Sequence, residues 1–219
     1  TVARLAADAV RQRPLPLRWF GIGPFFRGER PQRGRLREFL QWNADVIGDP
    51  SMNAELDLLG LLAGTLERFG LRPGDVTIRL SHRDAAASVL QGLGVNEDQL
   101  HAAFTLLDRK EKMPAEVFAD KAQPLGLGPD EIEKLNAVLS SSGTTDALAQ
   151  TMNGLGLSTE GLAPLFDLAH PLRDAGLQDW VTFDPGIVRG LAYYTGTVFE
   201  VHERRGAERA IAGGGRYDE

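Results

Sequence analysis

The most informative stretch of the sequence runs from Arg35 to Asp45. Read as a strand, its side chains alternate between two faces, and residues two apart share a face about 7 Å apart. One face then carries Arg35, Arg37, Phe39, Gln41, Asn43 and Asp45. The other carries Leu36, Glu38, Leu40, Trp42, Ala44 and Val46 and reads mostly as core. A row of guanidinium, aromatic, amide and carboxylate groups is costly to bury without a ligand or partners. Arg27 and Arg35 bracket a polar loop and could grip a polyphosphate. Phe39 offers a flat surface to a base, and Gln41 with Asp45 could hold the ammonium group of a small amino acid. The alternative is a solvent-facing strand on which Phe39 is merely exposed.

Two other clusters carry possible chemistry. In Arg189-Gly190-Leu191-Ala192-Tyr193-Tyr194-Thr195-Gly196, a cation and two phenols could share a pocket; on pattern alone, a bend with its tyrosines packed in the core is slightly favoured. In Gly213-Gly214-Gly215-Arg216-Tyr217-Asp218, three glycines allow close backbone approach to a ligand, but they equally serve a turn. Neither a Walker loop nor a dinucleotide fingerprint has this spacing. His82, His101, His170 and His202 lack metal-ligand spacing, so no metal site built from side chains is predicted. There is no cysteine, which excludes disulfides, thiolate metal sites and a thiol nucleophile and fits a cytosolic protein.

The 219 residues are 42% hydrophobic, enough for one sizeable core and a smaller appended unit. A net charge of −6 argues weakly against nucleic-acid binding, but the charge is uneven. Between Arg4 and Arg37 every basic residue is an arginine, and lysine first appears at Lys110. Arginine without lysine points to forked recognition of phosphate or carboxylate, with an ordinary solvated basic face as the alternative. No apolar run approaches the roughly 20 residues that span a bilayer.

These residues need elements to hold them. Residues 1–13 read as a helix, and residues 17–23 and 35–47 as strands of an antiparallel hairpin with a long charged tip. A helix capped by Asn53 follows, with Leu56, Leu59, Leu62, Leu66 and Phe69 on one face and Gly70 at its end. Val76, Ile78 and Leu80 alternate as another strand. Residues 84–170 read as short amphipathic helices punctuated by three Gly-Leu-Gly turns, and strand patterns return at 180–183, 195–201 and 207–212, with Gly213–Gly215 closing the last. The expected fold is α+β: an antiparallel sheet flanked by helices, with core parts at 1–83 and 171–219 around an all-helical insertion at 84–170.

Taken together, three segments carry a resemblance. Residues 26–41, Phe-Arg-Gly-Glu-Arg-Pro-Gln-Arg-Gly-Arg-Leu-Arg-Glu-Phe-Leu-Gln, resemble motif 2 of the class II aminoacyl-tRNA synthetases in the form found in histidyl-tRNA synthetases. Residues 189–200 and 212–218 resemble that family's two histidine-binding signatures, and the order of all three matches. The resemblance implies a class II synthetase-type sheet and activation of L-histidine with ATP, accompanied by Mg2+, to histidyl-adenylate, which then passes to the histidine tRNA. It implies Arg27 on the α-phosphate, Arg35 on the γ-phosphate, Glu29 near the adenine edge and Phe39 stacked on adenine. It further implies Gln41 and Asp45 at the substrate's α-amino end and Arg189 as the catalytic cation beside Arg27. Tyr193 and Tyr194 would line the imidazole pocket, with Gly213, Gly214 and Gly215 as its floor and Tyr217 nearby. A cytoplasmic homodimer, with no membrane association, is the family expectation.

Four departures temper the match. Ala192 stands where the family usually has an acidic residue, and Asp45 where many bacterial members have glutamate. A Pro-Glu-x-Thr segment and motif 1 are expected upstream, and motif 3 and an anticodon-binding domain downstream, so the sequence reads as a piece that does not aminoacylate tRNA by itself. The main rival is a non-catalytic histidine-binding paralogue, such as the regulatory subunit of ATP phosphoribosyltransferase. Against it stands the complete ATP-facing set Arg27, Glu29, Arg35 and Phe39. A plain RNA-binding module would leave the tyrosine and glycine signatures without a purpose.

Overall fold

Alternation along residues 17–26 and 38–47 becomes an antiparallel hairpin in the computed structural model, which describes residues 2–28, 30, 36–110, 113–188, 193–206 and 209–218. Glu29, Arg35, Arg189 and Ala192 lie outside the described residues. The chain divides into two units, residues 1–62 and 63–219.

In the first unit, helix α1 (Val2–Ala9) precedes β1 (Leu17–Phe26) and β2 (Glu38–Ile47), which pair from Leu17↔Ile47 to Phe26↔Glu38. One face of the ribbon presents Trp19, Gly21, Gly23 and Phe25 beside Asp45, Asn43, Gln41 and Phe39. The other presents Phe20, Ile22 and Phe26 beside Trp42 and Leu40. This second face, expected as core, is largely exposed: Leu40 at 77%, Phe20 at 76% and Leu36 just before the strand at 66%. A two-stranded ribbon buries a face only where a second layer stacks on it at about 10 Å. Burial in this unit falls instead on Ala6, Leu17, Ala54 and Leu59.

Helix α2 (Asn53–Arg68) starts in the first unit. Ser51, rather than Asn53, supplies the side-chain oxygen at its start, accepting from the Asn53 N–H at 3.3 Å. Leu59, Ala63 and Leu66 are buried, whereas Phe69, expected on the same face, is 81% exposed. It falls in the closing turn, where Gly70 has φ +82° and the Leu71 N–H reaches back to the Leu66 carbonyl. The Phe69 N–H still donates to the Thr65 carbonyl, so Phe69 remains on the helix and the chain turns away directly after it.

The second unit is a four-stranded mixed sheet ordered β4-β3-β5-β6, with β3 (Val76–His82), β4 (Val181–Phe183), β5 (Thr197–Glu203) and β6 (Ala212–Gly215). β3 pairs in parallel with β4 and antiparallel with β5, and β5 pairs antiparallel with β6. Between β3 and β4 come helices α3 (Arg83–Gly92), α4 (Leu100–Asp108), α5 (Ala115–Ala122), α6 (Pro129–Leu139), α7 (Thr145–Gly154) and α8 (Ala163–Asp174). Their core is leucine-rich: Leu90, Leu135, Leu148, Leu165, Leu168 and Leu172 are at most 2% exposed. The Gly-Leu-Gly punctuation is helix termination, not a repeat. At Gly94 and Gly156 the φ values are +100° and +72°. The next residue's N–H, from Val95 or Leu157, reaches the carbonyl of Leu90 or Met152, and that apolar residue is buried. Glycine takes this left-handed turn without a Cβ clash.

Candidate functional site

The polar row on β2 is positioned by the register of the hairpin. Phe39, Gln41, Asn43 and Asp45 are all half-buried and share one face. Opposite Gln41 and Asn43 stand Gly23 and Gly21, where an added Cβ would meet no atom within 4 Å. Two glycines therefore keep the cross-strand side of the row clear, which alternation along β2 alone does not reveal. The Gln41 amide donates to Asn43 Oδ1 at 2.7 Å, fixing both amides in line.

At the loop end of the row, the Arg27 N–H donates to the Arg37 carbonyl at 2.9 Å. The Arg27 guanidinium carbon sits 3.8 Å from the Phe39 ring centroid, and the Phe25 ring lies 6.3 Å from Phe39 at 30° between planes. The guanidinium therefore covers one face of the Phe39 ring, and a base stacked on that face would displace it. Glu29 and Arg35, the other expected ATP-facing residues, lie outside the described residues.

In the second unit, all three tyrosines of the sequence gather at one end of the sheet. The Tyr193 and Tyr194 rings are 4.7 Å apart, and Tyr217 meets Tyr193 edge-on at 6.3 Å. Tyr194 is buried in a cluster with Ile187 and Val198, while Tyr193 is 54% and Tyr217 40% exposed. The pair thus divides: Tyr194 is a core anchor, and Tyr193 and Tyr217 present accessible rings. Gly213, Gly214 and Gly215, expected to close a strand, instead form β6 together with Ala212, paired with Glu200, Phe199 and Val198. An added Cβ on Gly214 would lie 2.7 Å from the Phe199 ring, and one on Gly215 2.8 Å from the Tyr194 ring. Aromatic rings occupy the space that side chains take in an ordinary strand, which is why a run with poor strand propensity forms one.

Two residues absent from the sequence reading hold the ends of the segment that contains Arg189. Asp184, 1% exposed, accepts from the Arg79 guanidinium and, through Oδ1, from the Gly186 N–H at 2.8 Å; its own N–H donates to the Leu80 carbonyl. At the far end, the Arg83 N–H donates to the Gly196 carbonyl and Nε to the Tyr194 carbonyl at 2.9 Å. Burial lowers the Arg83 guanidinium from its ordinary value, though arginine stays charged. The Thr195 and Asp218 hydroxyl and carboxylate meet at 3.3 Å, tying the tyrosine segment to the residues after β6. His202 pairs with Glu200 at 2.9 Å, and among the described residues no three His, Cys, Asp or Glu side chains converge as a metal site. No helix among the described residues is long and apolar enough to cross a membrane.

Comparison with known proteins gives a consistent result. A family profile described as histidyl-tRNA synthetase matches residues 1–219. A chloroplastic/mitochondrial histidine–tRNA ligase of Arabidopsis thaliana is 40% identical over all of this chain and 44% of its own length. A crystal structure of histidyl-tRNA synthetase from Nostoc sp. PCC 7120 superposes with a TM-score of 0.82 at 25% identity, covering all of this chain and 51% of that one. An ATP phosphoribosyltransferase regulatory subunit/histidyl-tRNA synthetase from Bacillus halodurans superposes at 0.80 with 27% identity, over 99% of this chain and 55% of that one. The chain spans about half the length of the curated relatives it matches.

Proposed function

We propose, on the premise that the chain belongs to the histidyl-tRNA synthetase family, that it is the histidine-activating core of a histidine–tRNA ligase. The observation that carries this reading is the half-buried polar row Phe39-Gln41-Asn43-Asp45 beside Arg27, in a chain matched by the family from end to end. In the first step a carboxylate oxygen of L-histidine attacks the α-phosphorus of ATP, and pyrophosphate leaves. Arg27 and Arg189 take the charge that develops on the α-phosphate, Arg35 holds the γ-phosphate, and Glu29 and Phe39 hold adenine. Gln41 and Asp45 fix the ammonium group, while Tyr193, Tyr217 and the strand Gly213–Gly215 shape the place of the imidazole, with Tyr194 anchoring that wall. In the second step a hydroxyl of the tRNA 3′ end attacks the acyl carbon and AMP leaves. No covalent bond to the protein is needed; rate comes from alignment and fixed charge.

Mg2+ would travel with ATP, whose phosphates supply much of its coordination, and would neutralise their charge. The organisation we assign is a core of residues 1–83 and 171–219 around a helical insertion at 84–170, acting in the cytoplasm as a homodimer when the whole protein is assembled. The likeness to a regulatory subunit/synthetase from Bacillus halodurans supports a second reading, a histidine-binding paralogue without catalysis. The ATP-facing residues Arg27 and Phe39 favour the enzyme, because a histidine sensor has no use for them.

The test is histidine-dependent ATP–pyrophosphate exchange on the full-length gene product, with an Arg189→Ala variant alongside. Exchange that requires histidine and falls by about 100-fold or more in the variant is expected. Histidine binding without exchange would transfer the assignment to the paralogue.

A further inference from the structure

Arg83 stands at the joint between sheet and helices, and nothing in the proposed chemistry uses it. It is the first residue of α3, directly after β3. His82 caps that helix, its Nδ1 accepting from the Asp84 N–H at 3.2 Å. The helix is held tightly on its outer side: an added Cβ on Gly161 would lie 2.3 Å from Ser88 Cβ and 2.9 Å from the Asp84 carbonyl oxygen. Arg83 therefore issues from a fixed base.

From there it reaches in two directions. Its N–H donates to the Gly196 carbonyl at 3.1 Å, and its Nε to the Tyr194 carbonyl at 2.9 Å. These are backbone oxygens of the segment that presents Tyr193 and Tyr194, so the two bonds set the path of the chain rather than one side chain. The guanidinium carbon also lies 4.6 Å from the ring centroid of Phe104 on α4. A planar, permanently charged group can donate along its edge and stack on its face at once, which a lysine ammonium cannot.

We infer that Arg83 is a positioning residue that sets the Tyr193–Gly196 backbone and, through Phe104, ties the placement of that segment to helix α4. The inference rests on the proposed histidine pocket, since it assigns the consequence of misplacement to histidine rather than to ATP.

The experiment uses the full-length protein with Arg83→Ala, Arg83→Lys and Phe104→Leu. In histidine-dependent exchange, Arg83→Ala is expected to raise KM for histidine about tenfold, the scale of one charge-assisted hydrogen bond. KM for ATP should stay within about twofold. Arg83→Lys should recover part of the loss, and Phe104→Leu, which touches no expected ligand residue, should raise the histidine KM by about threefold. Equal movement of both KM values, or of neither, would overturn the inference. If the parent protein shows no histidine-dependent exchange, the proposed function fails on its own, and amide hydrogen exchange then decides the role of Arg83. Loss of protection at Thr195 and Arg216, whose N–H groups bond across this segment, with β3 unchanged, supports positioning. Unchanged protection contradicts it.

Discussion

The hairpin of the first unit and the sheet of the second handle the same kind of side chain in opposite ways. On the hairpin, Phe20, Ile22, Phe26 and Leu40 are each at least 68% exposed, and the polar row opposite them is half-buried. In the sheet, Val76, Ile78, Leu80 and Val201 are at most 2% exposed, and even Thr77, Ser81 and Asp184 are buried. Both regions carry expected substrate residues, but the hairpin presents them on an open ribbon, whereas the sheet fixes them by packing. Tyr194 is set by Gly215, which admits its ring, and the tyrosine segment by Arg83 and by the ties through Thr195; the β2 row is set chiefly by strand register. A change at a buried residue of the sheet should therefore act first on stability, and a change on the hairpin first on ligand binding.

The largest expected effect breaks the buried end of the sheet. Asp184→Asn should cost about 2–4 kcal/mol in urea unfolding followed by the combined fluorescence of Trp19, Trp42 and Trp180. This reaches below the roughly 3–5 kcal/mol of a fully buried broken pair, because Arg79 keeps 31% side-chain exposure. A loss below about 0.5 kcal/mol would mean that packing does not depend on this pair, and the contrast with the hairpin would weaken. On the ribbon, Leu40→Ser in this chain should change stability by less than about 0.5 kcal/mol in the same measurement. A loss near 2 kcal/mol would show that Leu40 is covered in solution, and the two regions would then differ less than their exposures indicate.

How much of this was readable beforehand follows the same division. The hairpin and the identity of its two faces follow from alternation, because strand period is local. Whether the apolar face is covered does not, since that depends on a second layer that no local pattern encodes; hence Leu36 and Leu40 read as core and are exposed. In the sheet, alternation at Val76, Ile78 and Leu80 marked a strand, but not that its other face is buried too at Thr77 and Ser81. Gly213–Gly215 read as an ending because glycine has little strand propensity; the rings of Phe199 and Tyr194 that make it a strand come from elsewhere in the fold. Arg79 with Asp184, and Arg83 with Tyr194, join residues more than a hundred positions apart, with no motif to announce them. The tyrosine and glycine segments stand out by family resemblance, and residue pattern alone slightly favours core for the tyrosines. The outcome is mixed, since Tyr194 is core and Tyr193 is exposed.

The most direct test of the account is a two-substrate comparison on the full-length protein: Arg27→Ala and Tyr193→Ala, assayed by histidine-dependent ATP–pyrophosphate exchange. The hairpin variant should lower the exchange rate and raise KM for ATP by about tenfold or more while the histidine KM moves less than about threefold, and the tyrosine variant should raise the histidine KM by about tenfold with KM for ATP moving less than about threefold. If both variants shift the same constant, or exchange proceeds without histidine, the assignment of ATP to the hairpin and imidazole to the tyrosine cluster is wrong.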